Sequence, residues 1–281
     1  MAATCLAVGN ILSPIFYLAG GSPLTLVLGR FVGFAVLAFV WFRWNRRSLA
    51  LPSGRWLPAY GIGLFYAVGS GCLLAAIAYL PVSLVILIFY TYPLLIAVQQ
   101  AALDRRPPSA IEGVCLLLAF VGLYLALDVT FSSLDPVGLI FAVMAACTMS
   151  VAFVWSGRSM ADVEPDLTTF HMAVCGIVVG SVLSVTFASA DMPGGDPIGW
   201  WALAGVVTTF TAAFFGMFAG IRAIGSVRTG MLMNLEPVAT IALSIAILRE
   251  VMQAQQLTGA ALVIAAVVVA QWRQRVEKAR T

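Results

Sequence analysis

Three ionisable side chains lie well inside long apolar stretches of the sequence, namely Arg30, His171 and Glu236. An ionisable group at mid-bilayer costs roughly 3 kcal/mol on insertion scales, so each one requires an explanation. Glu236 precedes Pro237, which has no N–H to donate to the preceding helical turn. Two interpretations remain open for this carboxylate: it binds an amine or a proton, or it stabilises the loosened helix with a hydrogen bond.

Arg30 and His171 also have a functional and a structural interpretation each. Arg30 could balance the carboxylate of a bound solute, or could bond helix carbonyls and reach towards the lipid headgroups. His171 could carry a proton at neutral pH, or could act as a hydrogen-bond donor between two helices. The structural interpretation is favoured for both residues.

A second group of candidates is aromatic or amide-bearing and lies close to prolines or on the sixth apolar stretch. Tyrosine and tryptophan combine an apolar ring with one hydrogen-bond donor, which suits a neutral zwitterion with an apolar side chain. Tyr90 and Tyr92 are ~10 Å from either end of their predicted helix, too deep for an interfacial aromatic belt. Together with Glu236, the predicted cavity residues are Asn10, Tyr79, Tyr90, Tyr92, Trp155 and Asn234. The predicted hinges are Pro14, Pro93 and Pro237.

The composition indicates which environment must position these residues. Hydrophobic residues make up 62% of the 281 positions and charged residues only 10%, whereas soluble proteins carry roughly 25% charged residues. Lipid must therefore be the solvent for most of the surface. The net charge of +3 is too small to indicate nucleic-acid binding. The five cysteines lie in apolar stretches without metal-type spacing and are interpreted as small buried side chains.

Clusters of glycine, proline and charge divide the chain into ten stretches of the length that a membrane-spanning helix needs. The first has no basic flank and is interpreted as a span and not as a signal peptide. With the N-terminus inside, 13 of the 15 Lys and Arg residues fall on the cytoplasmic side, as the positive-inside rule requires. Both termini are therefore predicted to be cytoplasmic in a multi-pass protein of the inner membrane. The predicted spans are 2–20, 24–43, 57–79, 82–103, 109–127, 135–157, 166–190, 198–221, 228–248 and 254–272.

The two halves of the chain repeat the same landmarks. Five spans per half is an odd number, so the second half must have the opposite orientation, as in inverted-repeat transporters. Chance recurrence of proline and glycine, both common in membrane helices, is the alternative. We predict an all-α integral membrane fold with two inverted five-helix repeats, 1–127 and 135–272, and a basic cytoplasmic tail, 273–281. The matching landmarks are Pro93 with Pro237, Asp104 and Gly113 with Glu250 and Gly259, Pro23 with Pro165, and the pair Gly29/Gly33 with Gly176/Gly180.

Two motifs at these landmarks resemble the EamA repeats of the drug/metabolite transporter superfamily. They are Phe89-Tyr90-Thr91-Tyr92-Pro93 with Asp104 downstream, and Asn234-Leu235-Glu236-Pro237 followed by Leu248-Arg249-Glu250. The first half departs from the family at Asp104-Arg105-Arg106-Pro107-Pro108, where members often have Gly-Glu-Arg. The resemblance covers nearly the whole chain. It implies a ten-helix metabolite transporter, commonly an exporter of amino acids, including the aromatic and neutral ones.

Four classes of function are compatible with a chain of this kind, and the sequence separates them. No Walker motif, paired metal ligands or Ser/His nucleophile occurs in it, so we expect a gradient-driven or facilitated exporter of neutral or aromatic amino acids without a cofactor. A nucleotide-sugar or phosphometabolite antiporter would need several deep cations to hold phosphate, and the sequence offers Arg30. An intramembrane enzyme and a scaffold without transport activity are the remaining alternatives. A monomer and a homodimer are both compatible with the sequence.

The repeat also predicts how deep the ionisable residues lie. Aligning the prolines pairs Tyr92 with Glu236 and places Arg30 opposite a neighbour of His171. Arg30 is then expected at the depth of Tyr92, in the outer half of the membrane, and His171 at the depth of Glu236, in the inner half. The cavity would hold a zwitterion with its carboxylate outward and its amine inward.

Overall fold

The computed structural model describes residues 1–77, 79–80, 82–105, 110–127, 135–187, 191–195, 197–243, 246 and 253–278. Within these residues the fold consists of helices joined by turns and irregular segments. The predicted all-α fold is therefore confirmed. The helices are α1 (Ala2–Leu18), α2 (Pro23–Trp44), α3 (Trp56–Ile77), α4 (Val82–Phe89), α5 (Tyr92–Asp104), α6 (Ala110–Ala126), α7 (Pro136–Ser159), α8 (Pro165–Phe187), α9 (Pro197–Ile224), α10 (Ser226–Met233), α11 (Leu235–Leu243) and α12 (Ala254–Lys278).

These helices form ten spans, because two spans are each made of two helices placed end to end. Six stretches are long and apolar enough to cross a membrane, and one of them, Leu84–Asp104, combines α4 and α5. Ala2–Leu18, Gly113–Ala126 and Ala254–Val269 are shorter apolar helices. The remaining span is α10 followed by α11. The predicted number of spans is therefore confirmed.

Turn residues set the ends of the helices where the sequence predicts them. Ser22 caps α2 by accepting a hydrogen bond from the Thr25 amide at 3.2 Å, and Asp135 caps α7 through the Val137 amide at 2.7 Å. The helices α2, α7, α8 and α9 all begin with proline, whose fixed φ suits the first helical position. The starts of these four helices therefore agree with the predicted starts of their spans to within one residue.

The packing between helices repeats from one half to the other. α3 packs against α7 and α8, while α9, its counterpart in the second half, packs against α1 and α2. Likewise α1 contacts α11 and its counterpart α7 contacts α5. The pairs α2–α8 and α6–α12 join counterparts directly. Each half therefore packs mainly on the other, and equivalent contacts occur twice.

The predicted small-residue pairs lie where helices approach each other closely. A Cβ on Gly33 would lie 2.3 Å from a methyl of Val207, and one on Gly176 would lie 2.7 Å from the ring of Phe31. Gly259 meets Gly122, where an added Cβ would come within 2.5 Å of a backbone oxygen. These glycines allow the helices to pack at short distance, as small residues do in membranes.

One end of the bundle, predicted to be cytoplasmic, carries ion pairs that join the two halves. Arg47 pairs with Glu164 and Asp166, Arg55 with Asp162 at 2.7 Å, and Asp104 with Arg158 at 2.7 Å. In each case one partner belongs to the first half and the other to the second.

Several sequence landmarks lie outside the described residues. They are Pro81, the segment 106–109, and the segment 247–252 that contains Leu248, Arg249 and Glu250. The predicted basic tail begins at residue 273, but α12 continues to Lys278.

Candidate functional site

The site is built around two helix breaks at equivalent positions of the two halves. Pro93 has no N–H for the carbonyl of Phe89, where α4 ends, and Pro237 has none for the carbonyl of Met233, where α10 ends. The chain turns at Tyr90 in one span and at Asn234 in the other, each three residues before the proline. The prolines thus end one helix and begin the next, and they place Tyr90 and Asn234 at the two breaks.

Glu236 is the hydrogen-bonded centre of the site. Its Oε1 accepts a hydrogen bond from the Asn10 side-chain amide at 3.1 Å, and its carboxylate also accepts one from the Tyr90 hydroxyl. The Asn10 amide lies 3.4 Å from the Thr240 hydroxyl, one turn further along α11. The carboxylate therefore connects α1 and the first helix break with the second helix break.

Asn10 offers a second polar group because of the proline that follows it. Pro14 lies inside α1 and has no N–H to donate to the carbonyl of Asn10, four residues earlier. The Asn10 side chain is exposed, although its amide donates a hydrogen bond to Glu236. Both the side chain and the backbone of Asn10 can therefore contact a ligand.

Arg30 provides the opposite charge. Its guanidinium lies 5.3 Å from the ring centre of Phe210 and interacts electrostatically with Glu236 and Tyr17. No ion pair within 4.0 Å joins Arg30 to Glu236. The Arg30 Nε is buried and has no hydrogen-bond partner in the described part of the chain. A cation and an anion thus share one region of the protein without neutralising each other by direct contact.

Aromatic rings surround the two charges. Tyr90 and Tyr92 are 5% and 3% exposed, with ring centres 6.0 Å apart. The Tyr92 ring lies 5.4 Å from that of Phe153. Tyr66 is 3% exposed, and its ring lies 5.3 Å from that of Phe214. These rings form an apolar lining with tyrosine hydroxyls as its polar points.

Asn234 adds an unused acceptor at the second helix break. The residue is 3% exposed, and its Oδ1 has no hydrogen-bond partner among the described residues. Leaving a buried polar atom unpaired costs about 1–3 kcal/mol. An unpaired amide oxygen at a broken helix is therefore suited to bind an N–H group.

Three of the predicted site residues lie elsewhere. Tyr79 is 47% exposed and stacks on Phe141 at the end of α3. Trp155 packs edge-on against Phe65 at 5.9 Å and lies close to Gly61. The His171 Nε2 lies 2.9 Å from the carbonyl oxygen of Leu49, in the segment between α2 and α3. The structure brings together Asn10, Arg30, Tyr90, Tyr92, Asn234 and Glu236.

The structure adds residues that the sequence did not single out. Thr240 lies one helical turn after Glu236, so the spacing alone could have indicated it. Tyr66 lies ten residues inside its span and is as deep as Tyr90, by the same reasoning about helix rise. Phe210 and Phe214 are typical lipid-facing residues by composition, and no local signal distinguishes them.

The donor set of the cluster suits an organic solute. Among the described residues, no group of three or more His, Cys, Asp or Glu side chains could hold a metal ion. One carboxylate, one guanidinium, two amides and several tyrosines can together hold an amine, a carboxylate and an apolar body.

Comparisons with known proteins agree with this architecture. Residues 1–127 and 136–271 match the EamA-like transporter family. Protein PecM of Dickeya dadantii (strain 3937) is 24% identical over 221 residues, which cover 76% of this chain and 72% of that protein. A solved crystal structure with 19% identity superposes with a TM-score of 0.82 over 98% of this chain and 96% of its own. At that identity the likeness concerns the fold alone.

Proposed function

Because the chain belongs to the EamA-like transporter family of the drug/metabolite transporter superfamily, we propose that this membrane transporter exports small zwitterionic metabolites, above all neutral and aromatic amino acids. Transport occurs by alternating access between two inverted repeats in the inner membrane, with no cofactor and no chemical conversion of the solute. The bilayer and the transported solute are its partners.

The observation that carries this proposal is the separation of Arg30 from Glu236. Opposite charges in a medium of low dielectric constant attract strongly, yet the two groups interact electrostatically without a direct ion pair. An amino acid supplies the two charges that complement them, with its carboxylate towards Arg30 and its ammonium towards Glu236. The unpaired Asn234 Oδ1 is a further acceptor for the ammonium group.

The aromatic lining supports an apolar side chain on the solute. Tyr66, Tyr92 and Phe214 offer ring faces and edges, and such rings favour offset or edge-on contact with another ring or with an aliphatic chain. A sugar or a nucleotide would instead need many polar partners. The lining therefore favours solutes of the phenylalanine or leucine type.

The alternative, a nucleotide-sugar or phosphometabolite antiporter, agrees less well with the charges. A phosphate group carries up to two negative charges and is usually held by several cations. Arg30 is the arginine that the sequence places deep in a span, and Glu236 in the same cluster would repel a phosphate.

The proposed mechanism uses the two helix breaks. The broken spans face each other across the region between the halves, and in inverted-repeat transporters the halves rock around such a site. The side chains that contact Glu236 come from α1 of the first half and from the break between α4 and α5. Relative movement of the halves would therefore change the surroundings of the carboxylate directly.

A topology experiment tests the proposed orientation with cytoplasmic termini. Single cysteines replace Gly194, in the segment between α8 and α9, and Ser48, in the segment between α2 and α3. A membrane-impermeant maleimide applied to intact cells is expected to label the cysteine at 194 and to leave the one at 48 unmodified. The reverse pattern would contradict the orientation and with it the assignment of export.

A transport experiment tests the function. Proteoliposomes containing the purified chain and an excess of unlabelled phenylalanine should accumulate labelled phenylalanine or leucine by counterflow, with and without a pH gradient. Liposomes containing Glu236→Gln are the matched control, since the substitution removes the charge and keeps the shape. Counterflow limited to phosphorylated or nucleotide solutes would favour the antiporter instead.

A further inference from the structure

A cavity lies away from the Arg30–Glu236 cluster, at the end of the bundle where α10 begins. It has a volume of about 420 Å³ and is lined by Gln100, Gly157, Arg158, Ile224, Gly225, Ser226, Val227 and Arg228. These residues belong to α5, α7, α9 and α10 and to the single residue between α9 and α10. The cavity thus joins one helix of the first half to three of the second.

The first turn of α10 presents backbone donors to this cavity. Gly225 precedes the helix with φ of 87° and supplies no side-chain cap, and the positive φ suits glycine at this turn. Residues 226–228 are the first three of α10, and the first amides of a helix have no carbonyl partner within that helix. Free amides and the positive end of the helix dipole together favour an anion at this position.

Ser226 is an independent indication that a ligand binds here. The residue is 6% exposed and lines the cavity, and its hydroxyl has no hydrogen-bond partner among the described residues. Gly157 on α7 allows the close approach, because a Cβ there would lie 3.3 Å from the Ser226 Oγ. A buried serine with an unused hydroxyl beside free amides provides a further donor for the same ligand.

Charged side chains give the cavity a positive balance. Arg158 pairs with Asp104 at 2.7 Å, and Gln100 donates to the other oxygen of Asp104 at 2.8 Å, so Asp104 neutralises Arg158. Arg228 lines the cavity and has no salt bridge in the described part of the chain. The balance is therefore one positive charge in addition to the helix dipole.

We propose that this cavity binds one oxyanionic group, a carboxylate or a phosphate, of a small water-soluble solute. The amides of α10, the Ser226 hydroxyl and the Arg228 guanidinium donate to its oxygens. The position of the cavity argues for a dissolved solute over a lipid headgroup, because α10, whose first turn lines it, packs against α5, α7 and α9. The same helix leads from this cavity at Gly225 to the break at Asn234, so a bound solute would lie at the entrance to the inner cluster.

Cysteine modification tests the charge of the cavity. The full chain carries Ser226→Cys, with its five natural cysteines replaced by alanine, in phosphatidylcholine vesicles. The rate of modification is measured with an anionic and with a cationic methanethiosulfonate. Each rate is divided by the rate at which the same reagent modifies a free thiol in solution, which removes the intrinsic difference in reactivity. We expect the anionic reagent to be favoured, and Arg228→Gln to lower this preference by about fivefold or more, as removal of one nearby charge would.

Protection of the cysteine at position 226 by small ions tests which chemical class of ligand the cavity binds. Millimolar inorganic phosphate or acetate should slow modification at position 226, and methylamine should not. A cysteine at Ser48, exposed at the same end of the bundle, is the matched control and should show neither protection nor a response to Arg228→Gln. Equal rates with both reagents, no reaction at all, or no protection would overturn the proposal. Protection only in vesicles that contain phosphatidylglycerol would overturn the assignment to a dissolved solute.

Discussion

The two broken spans share a backbone plan and differ in their side chains. Each turns three residues before a proline, at Tyr90 in the first half and at Asn234 in the second. The positions next to the prolines are Tyr92 and Glu236, so the first break carries aromatic rings and the second carries an amide and an acid. The Tyr90 hydroxyl donates to Glu236, so the two breaks meet at one carboxylate.

Because the side chains differ, the two breaks can contact different groups of one ligand, which two identical breaks could not do. The prolines give both halves the same interruption of the helix, and with it the same freedom to bend. The break in the second half carries the charge of Glu236, while the break in the first half carries the aromatic rings of Tyr90 and Tyr92. Duplication explains the shared geometry, and under the proposed function the different side chains would distinguish one end of the solute from the other.

The largest expected effect is loss of the acid at the second break. Glu236→Gln should lower counterflow of phenylalanine by about a hundredfold, because a hydrogen bond or ion pair with a charged partner contributes about 1.5–3 kcal/mol. Tyr92→Phe, at the equivalent position of the first half, should change it by less than about twofold. Comparable losses in the two variants, measured in proteoliposomes with equal protein content, would remove the distinction between the halves.

Restoring the helix at each break should have the next largest effect. Proline disfavours a helix interior by about 3 kcal/mol relative to alanine, so alanine at 93 or 237 favours a continuous span. Pro237→Ala should reduce transport by about tenfold or more because it displaces Asn234 and Glu236, and Pro93→Ala should reduce it less. Thermal unfolding of both purified variants checks that they remain folded. Full activity of Pro237→Ala would show that the break is not used.

A smaller effect is expected from the hydroxyl that joins the two breaks. Tyr90→Phe removes one donor to Glu236 and should raise the KM for phenylalanine by about three- to fivefold, with kcat less affected. Tyr66→Phe is the control, since the Tyr66 hydroxyl lies 3.4 Å from the sulfur of Met217, a weak acceptor. An equal rise of KM in both variants would assign the effect to the lining and not to the bond with Glu236.

The smallest effect is expected at His171. Its Nε2 lies 2.9 Å from the Leu49 carbonyl and its Nδ1 lies 3.3 Å from the Tyr60 hydroxyl. His171 therefore joins α8 to α3 and to the segment between α2 and α3. His171→Gln should leave the rate and pH dependence of transport within about twofold of the wild type, because glutamine also offers a donor and an acceptor. A shift of the pH profile of transport would instead indicate that His171 carries a proton during transport.

The fold could be predicted from the sequence because lipid imposes a simple rule on it. Each span must be apolar over about 20 residues and must satisfy its own backbone. Gly, Pro and charge clusters such as those around Pro23 and Asp135 therefore mark the ends of the helices. The break at Asn234 was harder to predict, because Pro237 shows that the helix is disturbed but not where its last hydrogen bond is lost.

The site could be predicted only in part. The depth of a residue along its helix follows from its position in the sequence, but the neighbouring helix that its side chain faces does not. Glu236 and Tyr90 stand out by their cost or their depth within a span. The approach of Arg30 to Glu236 depends on how α2 and α11 are placed relative to each other, which no spacing within a single helix determines. The repeat predicts the depth of Glu236 for His171 but not its contacts. These are with Tyr60 on α3 and with Leu49 in the segment before α3.

Ligand binding by matched compounds tests the central claim, that one site holds a zwitterion between Arg30 and Glu236. The affinities of phenylalanine, phenethylamine and phenylpropionate are measured by titration calorimetry with wild type, Arg30→Gln and Glu236→Gln. We predict that Glu236→Gln weakens phenylalanine and phenethylamine but not phenylpropionate, and that Arg30→Gln weakens phenylalanine and phenylpropionate but not phenethylamine. Equal weakening of all three ligands by both substitutions, or none, would contradict the account.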